Sequence, residues 1–145
     1  MKWAAGIDTS NITFRELASH TGGLAIEPGL YGGIYTTTGD LARFIMAQYS
    51  DSDRLAKKYR EMMQTIQTPE EGKNGYGLGL NISYTNNGSE MVGHNGSVAG
   101  YTAFMLFNPG SKVGAIVMRN CDDGFQQIPG EMANVVEGLA RLDAK

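Results

Sequence analysis

The sequence predicts an α+β domain in which an antiparallel sheet of about three strands packs with helices. Three observations carry that expectation. Apolar residues recur at helical spacing in separate stretches between residues 12 and 66 and again after residue 128. Between residues 75 and 119 the period changes to two, the spacing of a strand with one buried face. Short turns rich in Gly, Pro and Asn join the segments, and the order of helices, strands and a last helix lays that helix on the sheet. The chain of 145 residues fits one domain, residues 1–145, and is long enough to bury a core.

The first helix is announced by Thr13-Phe14-Arg15-Glu16, a capping box with Ile12 and Leu17 at the staple positions. It stops at Ser19-His20-Thr21-Gly22-Gly23, where two glycines supply a C-terminal signal. Ser19 and His20 are adjacent on that helix and do not face each other, so packing is the expected role of the pair. Residues 25–35 form a Pro/Gly-rich connection. Thr37-Thr38-Gly39-Asp40 opens a second helix, with Leu41, Phe44, Ile45 and Gln48 at helical spacing and with Arg43 and Gln48 expected toward water. Ser50-Asp51-Ser52-Asp53 ends it and can cap a third helix, whose stripe is Leu55, Tyr59, Met62, Met63 and Ile66. The two methionines read as core filler, and Thr68-Pro69 terminates the segment.

From Gly75 the residues Leu78, Leu80, Ile82 and Tyr84 alternate with Gly77, Gly79, Asn81 and Ser83, a half-buried strand with one very small face. Asn86-Asn87-Gly88 carries the signal of a type I′ hairpin. A central strand returns through Met91, His94 and Gly96 toward Phe107; from Tyr101 it is apolar on both faces, as a strand covered by helices would be. Asn108-Pro109-Gly110-Ser111 turns into a third strand, Val113 to Arg119, and Asp122-Asp123-Gly124 closes the sheet. Pro129 sits near the first turn of a last helix with Met132, Val135, Val136, Leu139 and Leu142 as its stripe.

Composition narrows the function. A net charge of −3 with no basic run argues against nucleic-acid binding. One cysteine, Cys121, and two distant histidines argue against a zinc site, so no metal and no cofactor are expected. No apolar run approaches the length of a membrane span. The first eight residues are too short and too soon polar for a signal peptide, which leaves the compartment open between the cytoplasm and a protein whose leader is absent from this chain. The candidate ligand-binding residues are His94, Asn95, Gly96 and Ser97. There, small residues bracket one imidazole at the mouth of an apolar strand, and a strand glycine marks a bulge or a close approach of backbone or ligand. The plainer reading of the same stretch is a hairpin corner with a surface histidine.

Three segments, in order, resemble the superfamily of serine β-lactamases, D-alanyl-D-alanine carboxypeptidases and esterases, nearest its class C branch. Ile12 to Leu24 is similar to the family's "ITLRHLLSHTSGL" helix, and Gly32 to Phe44 to its "GGLYSTARDLARF". Tyr76-Gly77-Leu78-Gly79-Leu80, His94-Asn95-Gly96, Gly100-Tyr101 and Val117-Met118-Arg119-Asn120 follow its "YGLGW … GHNGGTGGYRSFLAFDP … VVVLTN" block. The resemblance implies the C-terminal part of that fold with most of the helical lobe missing. It also implies that His94-Asn95-Gly96 stands where the family has Lys-Thr-Gly, on a strand edge lining the substrate cleft. His94 would then lend polarity, backbone groups beyond Gly96 would bind the substrate and its oxyanion, and Gly96 would leave room for the approach.

The departures bear on activity. No Ser-x-x-Lys occurs in the 145 residues, and in the family that motif lies upstream of the Ile12 helix. Tyr84-Thr85-Asn86 spells the family's Tyr-x-Asn but stands at a strand end entering a hairpin, the wrong context. No catalytic residue is assigned. The expectation is a shortened relative, hydrolase by family, unable to form the usual acyl-enzyme and keeping a vestigial cleft for a β-lactam, peptide or ester. The family is often periplasmic or secreted. An active enzyme would need a second chain to complete the site, or Ser97 or Ser19 as nucleophile, although residues three apart on a strand, as His94 and Ser97 are, point to opposite faces. A third class is a self-associating structural module. Because the family's N-terminal strands are absent, a homo-oligomer through an uncovered sheet edge is expected.

Overall fold

The computed structural model describes residues 36–50, 55–98, 100–121 and 123–143, so the Thr13 capping box, Ser19, His20 and the 25–35 connection expected from the sequence lie outside the described residues. Three helices, α1 (Thr38–Ala47), α2 (Lys57–Met63) and α3 (Ile128–Asp143), accompany six strands. These are β1 (Thr68–Pro69), β2 (Gly75–Tyr76), β3 (Asn81–Tyr84), β4 (Glu90–Val98), β5 (Tyr101–Asn108) and β6 (Val113–Arg119). Every neighbour pair is antiparallel and the spatial order is the chain order, β1 to β6. The class is the expected α+β; the strand count is not.

Two features account for most of the difference. The strand read as running from Met91 to Phe107 is two strands, because the chain reverses between Val98 and Tyr101, which pair with each other, and Gly100 there has φ +81°. The alternating run before β3 is not extended either. Gly79 has φ +75° and the Gly77 N–H donates to the Leu80 carbonyl at 2.8 Å, so residues 77–80 form a tight turn between β2 and β3. The Asn86-Asn87-Gly88 hairpin lies where expected but is not type I′, which needs positive φ at two successive residues; here only Gly88 has it, at +80°, and its N–H donates to the Thr85 carbonyl. That is the pattern of a longer loop closed by a left-handed glycine.

Thr37 caps α1 as expected, its hydroxyl accepting from the Asp40 N–H at 3.1 Å. Gln48, expected toward water, is only 3% exposed. The Gln64 amide donates to its carbonyl at 2.9 Å and to its Oε1 at 3.1 Å, which satisfies a side chain that burial would otherwise penalise. Helix α2 is shorter than its stripe implied: it begins after Ala56, without a side-chain cap, and ends at Met63, while Tyr59 is exposed. The buried Arg60 guanidinium donates to the Ser50 carbonyl and ties this helix back to the end of α1.

The sheet separates two apolar layers. On one face Ile45 of α1 meets Leu80, Ile82, Val92 and Phe107, with Met63, Ile66, Met105 and Ile116 around them. On the other, Ile128 and Met132 of α3 meet Phe104, with Leu106, Ala115 and Val117 beside it. Strand β5 thus lies in the interior of the sheet with a helix over each face, as its two-sided apolar sequence requires. Val136 completes the inner stripe of α3, whereas Val135, Leu139 and Leu142, expected in that stripe, are exposed.

The β3–β4 hairpin is fastened to α3 by one carboxylate. Glu137, whose side chain is 11% exposed, accepts from the Thr85 hydroxyl and from the Asn87 amide at 2.9 Å, with Arg141 at 3.5 Å. The Thr85 bond first, then the Asn87 bond, hold its pKa below the ordinary 4.5. A group whose pKa is depressed on folding adds stability at pH values above its unfolded value, and that stability disappears as the pH falls through the folded value. Unfolding by urea at a series of pH values from neutral downward is expected to show that loss in the wild-type chain and a flatter profile in Glu137→Gln.

Candidate functional site

Strand β4 is longer than the strand beside it. Its pairs with β3 run only from Tyr84↔Glu90 to Asn81↔Gly93, whereas its pairs with β5 continue to Val98↔Tyr101. Among the described residues, no strand lies on the β3 side of His94 to Val98. In an antiparallel strand every second residue turns its N–H and C=O away from a given neighbour. From Asn95 to Val98 the strand therefore has, among the described residues, no strand partner on that side, the kind of edge where an extended amide-like ligand adds to a sheet.

The four candidate residues sit on this segment but do not converge. By the register His94 pairs with Met105 and Gly96 with Ala103, on the face that carries α1; Asn95 pairs with Phe104 and Ser97 with Thr102, on the face that carries α3. His94, Gly96 and Ser97 are exposed and Asn95 is half-buried. His94 and Ser97 are therefore no serine–histidine pair, as their spacing foretold. Row by row across the sheet, Gly96, Ala103 and the exposed Met118 form a low apolar shelf beside the imidazole.

The two glycines of β4 do different work. Among the described residues a Cβ on Gly96 would meet nothing within 4 Å, so no described atom fills the space over the edge there. A Cβ on Gly93 would lie 2.1 Å from the Met105 carbonyl oxygen, so that glycine is required by the approach of β5. Sequence reasoning singled out Gly96 and passed over Gly93, which directly follows the apolar pair Met91-Val92 of the same strand.

It also passed over Tyr76. Its ring stands edge to face with the His94 imidazole, centroids 6.0 Å apart and planes at 83°. Tyr76 is 8% exposed, and its pKa is raised first by burial and then by the Glu70 carboxylate, so the phenol is neutral throughout the ordinary range. The signal was present, since Tyr76 opens the Tyr76-Gly77-Leu78-Gly79-Leu80 run, but nothing in the spacing connects it with a histidine 18 positions later.

Tyr84-Thr85-Asn86 lies at the other end of the β3–β4 ladder, where Tyr84 pairs with Glu90 and the Thr85 hydroxyl is engaged by Glu137. That places it with the hairpin, away from His94. Among the described residues, no group of three His, Cys, Asp or Glu side chains is placed to hold a metal. Cys121 is half-buried, with the Arg119 guanidinium 2.6 Å from its sulfur. Among the described residues, no helix is long and apolar enough to cross a membrane.

The profile of the family described as Beta-lactamase matches residues 26–135. Protein flp of Staphylococcus aureus, in strain NCTC 8325 / PS 47 and identically in strain COL, is 28% identical over 94 residues, which cover 62% of this chain and 18% of that protein. Among solved structures, an octameric penicillin-binding protein homologue from Pyrococcus abyssi is similar with a TM-score of 0.53 and 37% identity, over 60% of this chain and 21% of that one. The chain thus spans about a fifth of the length of these relatives.

Proposed function

This chain belongs to the Beta-lactamase family, and from that premise we propose that it is a ligand-binding relative of the penicillin-binding proteins whose 145 residues do not themselves form an acyl-enzyme. The ligand class is a β-lactam, a D-alanyl peptide or an ester. Its carbonyl accepts from backbone N–H groups of the Asn95–Val98 end of β4, next to His94, and its body passes through the space above Gly96. The observation that carries this reading is the stretch from Asn95 to Val98, which among the described residues has no strand partner on its β3 side and open space over Gly96. The absence of Ser-x-x-Lys and the opposite facing of Ser97 and His94 support binding without turnover.

Benzylpenicillin tests it. Reversible movement of the backbone amide resonances of residues 94–98, with an unchanged intact mass after prolonged incubation, is the expected result. A stoichiometric adduct on a serine, with benzylpenicillin or with a fluorophosphonate, would make the protein an active serine hydrolase instead. No movement and no adduct would remove the ligand.

One observation favours self-association as well. Strand β6 closes the described sheet, and Val113-Gly114-Ala115-Ile116-Val117-Met118 carries no charge or proline that would protect an edge. The exposed Val135, Leu139 and Leu142 of α3 add apolar surface, and the Pyrococcus abyssi homologue is octameric. We propose a homo-oligomer on this basis. Light scattering at micromolar concentration is expected to give a multiple of the 15.6 kDa chain mass, and a monomeric mass would remove the idea.

A further inference from the structure

We propose that the chain selects ligands with an aromatic ring beside the amide held by β4, and that Tyr101 and Met118 grip that ring. The inference deepens the reading of the Asn95–Val98 end as the ligand site and rests on it. Side chains two apart on a strand share a face, so the register lays the sheet out in rows. On the α1 face one row contains Met105 and Ile116, both packed against the layer around Ile45. The next row is Gly96, Ala103 and Met118. Tyr101 stands one row further on, on the same strand as Ala103. A row with no side chain on its first member and a single methyl on its second is a trough between taller neighbours. Its borders on β5, Met105 and Tyr101, are about 13 Å apart along the strand, and Gly96 to Met118 spans two strand spacings, about 10 Å. A phenyl ring lies flat in a space of that size.

The trough is open to solvent and its walls are rooted. Tyr101 is 67% exposed and Met118 39%, and among the described residues nothing stands within 4 Å of a Cβ built on Gly96. Thr102, next to Tyr101, is buried on the opposite face, where its hydroxyl donates to the Cys121 carbonyl at 3.0 Å, and Gly100 sets the chain reversal just before it. The residues of the trough and its borders carry no charge, so they favour an apolar group over an ionic one. Within that class the chemistry of the walls favours an aromatic group: the Tyr101 ring offers a stacking partner, and the Met118 thioether a sulfur for a ring edge. The trough begins at Gly96, inside the segment whose N–H groups take the ligand carbonyl. One ligand therefore fills both places when only a short link joins its ring to its amide, as in a phenylacetyl amide.

The test compares three probes by nuclear magnetic resonance: benzylpenicillin, aminopenicillanic acid, which lacks the phenylacetyl group, and phenylacetamide, which lacks the rest. Benzylpenicillin is expected to move the amides of residues 94–98 together with the Met118 methyl and the Tyr101 ring. Aminopenicillanic acid should move the amides alone and bind about tenfold more weakly, the loss expected for an apolar group that stays in water. Phenylacetamide should move the Met118 methyl and the Tyr101 ring. Tyr101→Ala and Met118→Ala, both at exposed positions, should weaken benzylpenicillin several-fold and leave aminopenicillanic acid unchanged. Equal binding of benzylpenicillin and aminopenicillanic acid, or equal losses for both in the variants, overturns the inference while the ligand site at β4 stands. If benzylpenicillin leaves residues 94–98 unmoved, the reading of β4 fails. Phenylacetamide then decides the trough: a response at Met118 and Tyr101 keeps it as an aromatic site, and silence there removes it.

Discussion

Phe107→Ala is expected to destabilise the protein by about 3–5 kcal/mol, the range for deleting a fully buried phenylalanine. Phe107 is 0% exposed and lies on β5, paired with Val92 on one side and Gly114 on the other. It belongs to the layer of Ile45, Leu80, Ile82 and Val92, and the Tyr49 ring meets it at 6.3 Å with planes at 61°. Its ring therefore ties the end of α1 to three strands at once. The surroundings are poorly placed to fill the space left behind. At Gly114 a Cβ would lie 3.1 Å from both the Phe107 Cβ and the Ile45 Cγ2, so helix and sheet already touch there and cannot close further. Since whole domains are stable by only about 5–15 kcal/mol, such a loss leaves little of the fold in reserve. Urea denaturation is expected to show a large fall in midpoint with an unchanged slope. A loss below about 1.5 kcal/mol would mean that the pocket collapses around the alanine and that the packing is looser than its geometry.

How much of this was legible in the sequence depends on whether the cause was local. Thr37 could be read as a cap because its partner, Asp40, is three residues away, and Phe104 to Phe107 could be read as an interior strand because both its faces are apolar. Gln48 could not be placed, since the amide that satisfies it belongs to Gln64 across a helix break. The reversal at Gly100 was missed for a different reason: a lone glycine between apolar stretches is compatible with a bulge, a close approach or a turn, and only the pairing of Val98 with Tyr101 chooses among them. The outer residues of α3 show the opposite failure. Val135, Leu139 and Leu142 have the spacing of a buried stripe, but one face of the helix suffices for the sheet and they remain exposed. At the site, the motif His94-Asn95-Gly96-Ser97 was visible, while its division between two faces and the ring contact of His94 with Tyr76 follow from strand register and tertiary contact.

The glycines of β4 separate fold from site more sharply than any other pair, because the same substitution should have opposite consequences three residues apart. Neither has a positive φ, so neither is kept for backbone conformation, and alanine is acceptable to the backbone at both. At Gly93 the new Cβ would stand 2.1 Å from the Met105 oxygen and 3.0 Å from the Leu106 Cα, and both obstacles are backbone of the paired strand. No side chain can turn away to relieve the contact, so β4 and β5 must separate or shift register where the sheet is widest. Gly93→Ala is expected to cost about 3 kcal/mol, the upper part of the range for overpacking. At Gly96 the Cβ meets nothing among the described residues, and alanine removes backbone freedom from the unfolded chain, so Gly96→Ala should leave stability unchanged or raise it by up to about 1 kcal/mol. The same methyl would occupy the space above the edge and weaken the benzylpenicillin response of residues 94–98. Paired denaturation and binding measurements on the two variants check both halves. Equal losses of stability at 93 and 96 would contradict the close approach of the strands. An unaltered response in Gly96→Ala would move the ligand away from the space that Gly96 leaves open.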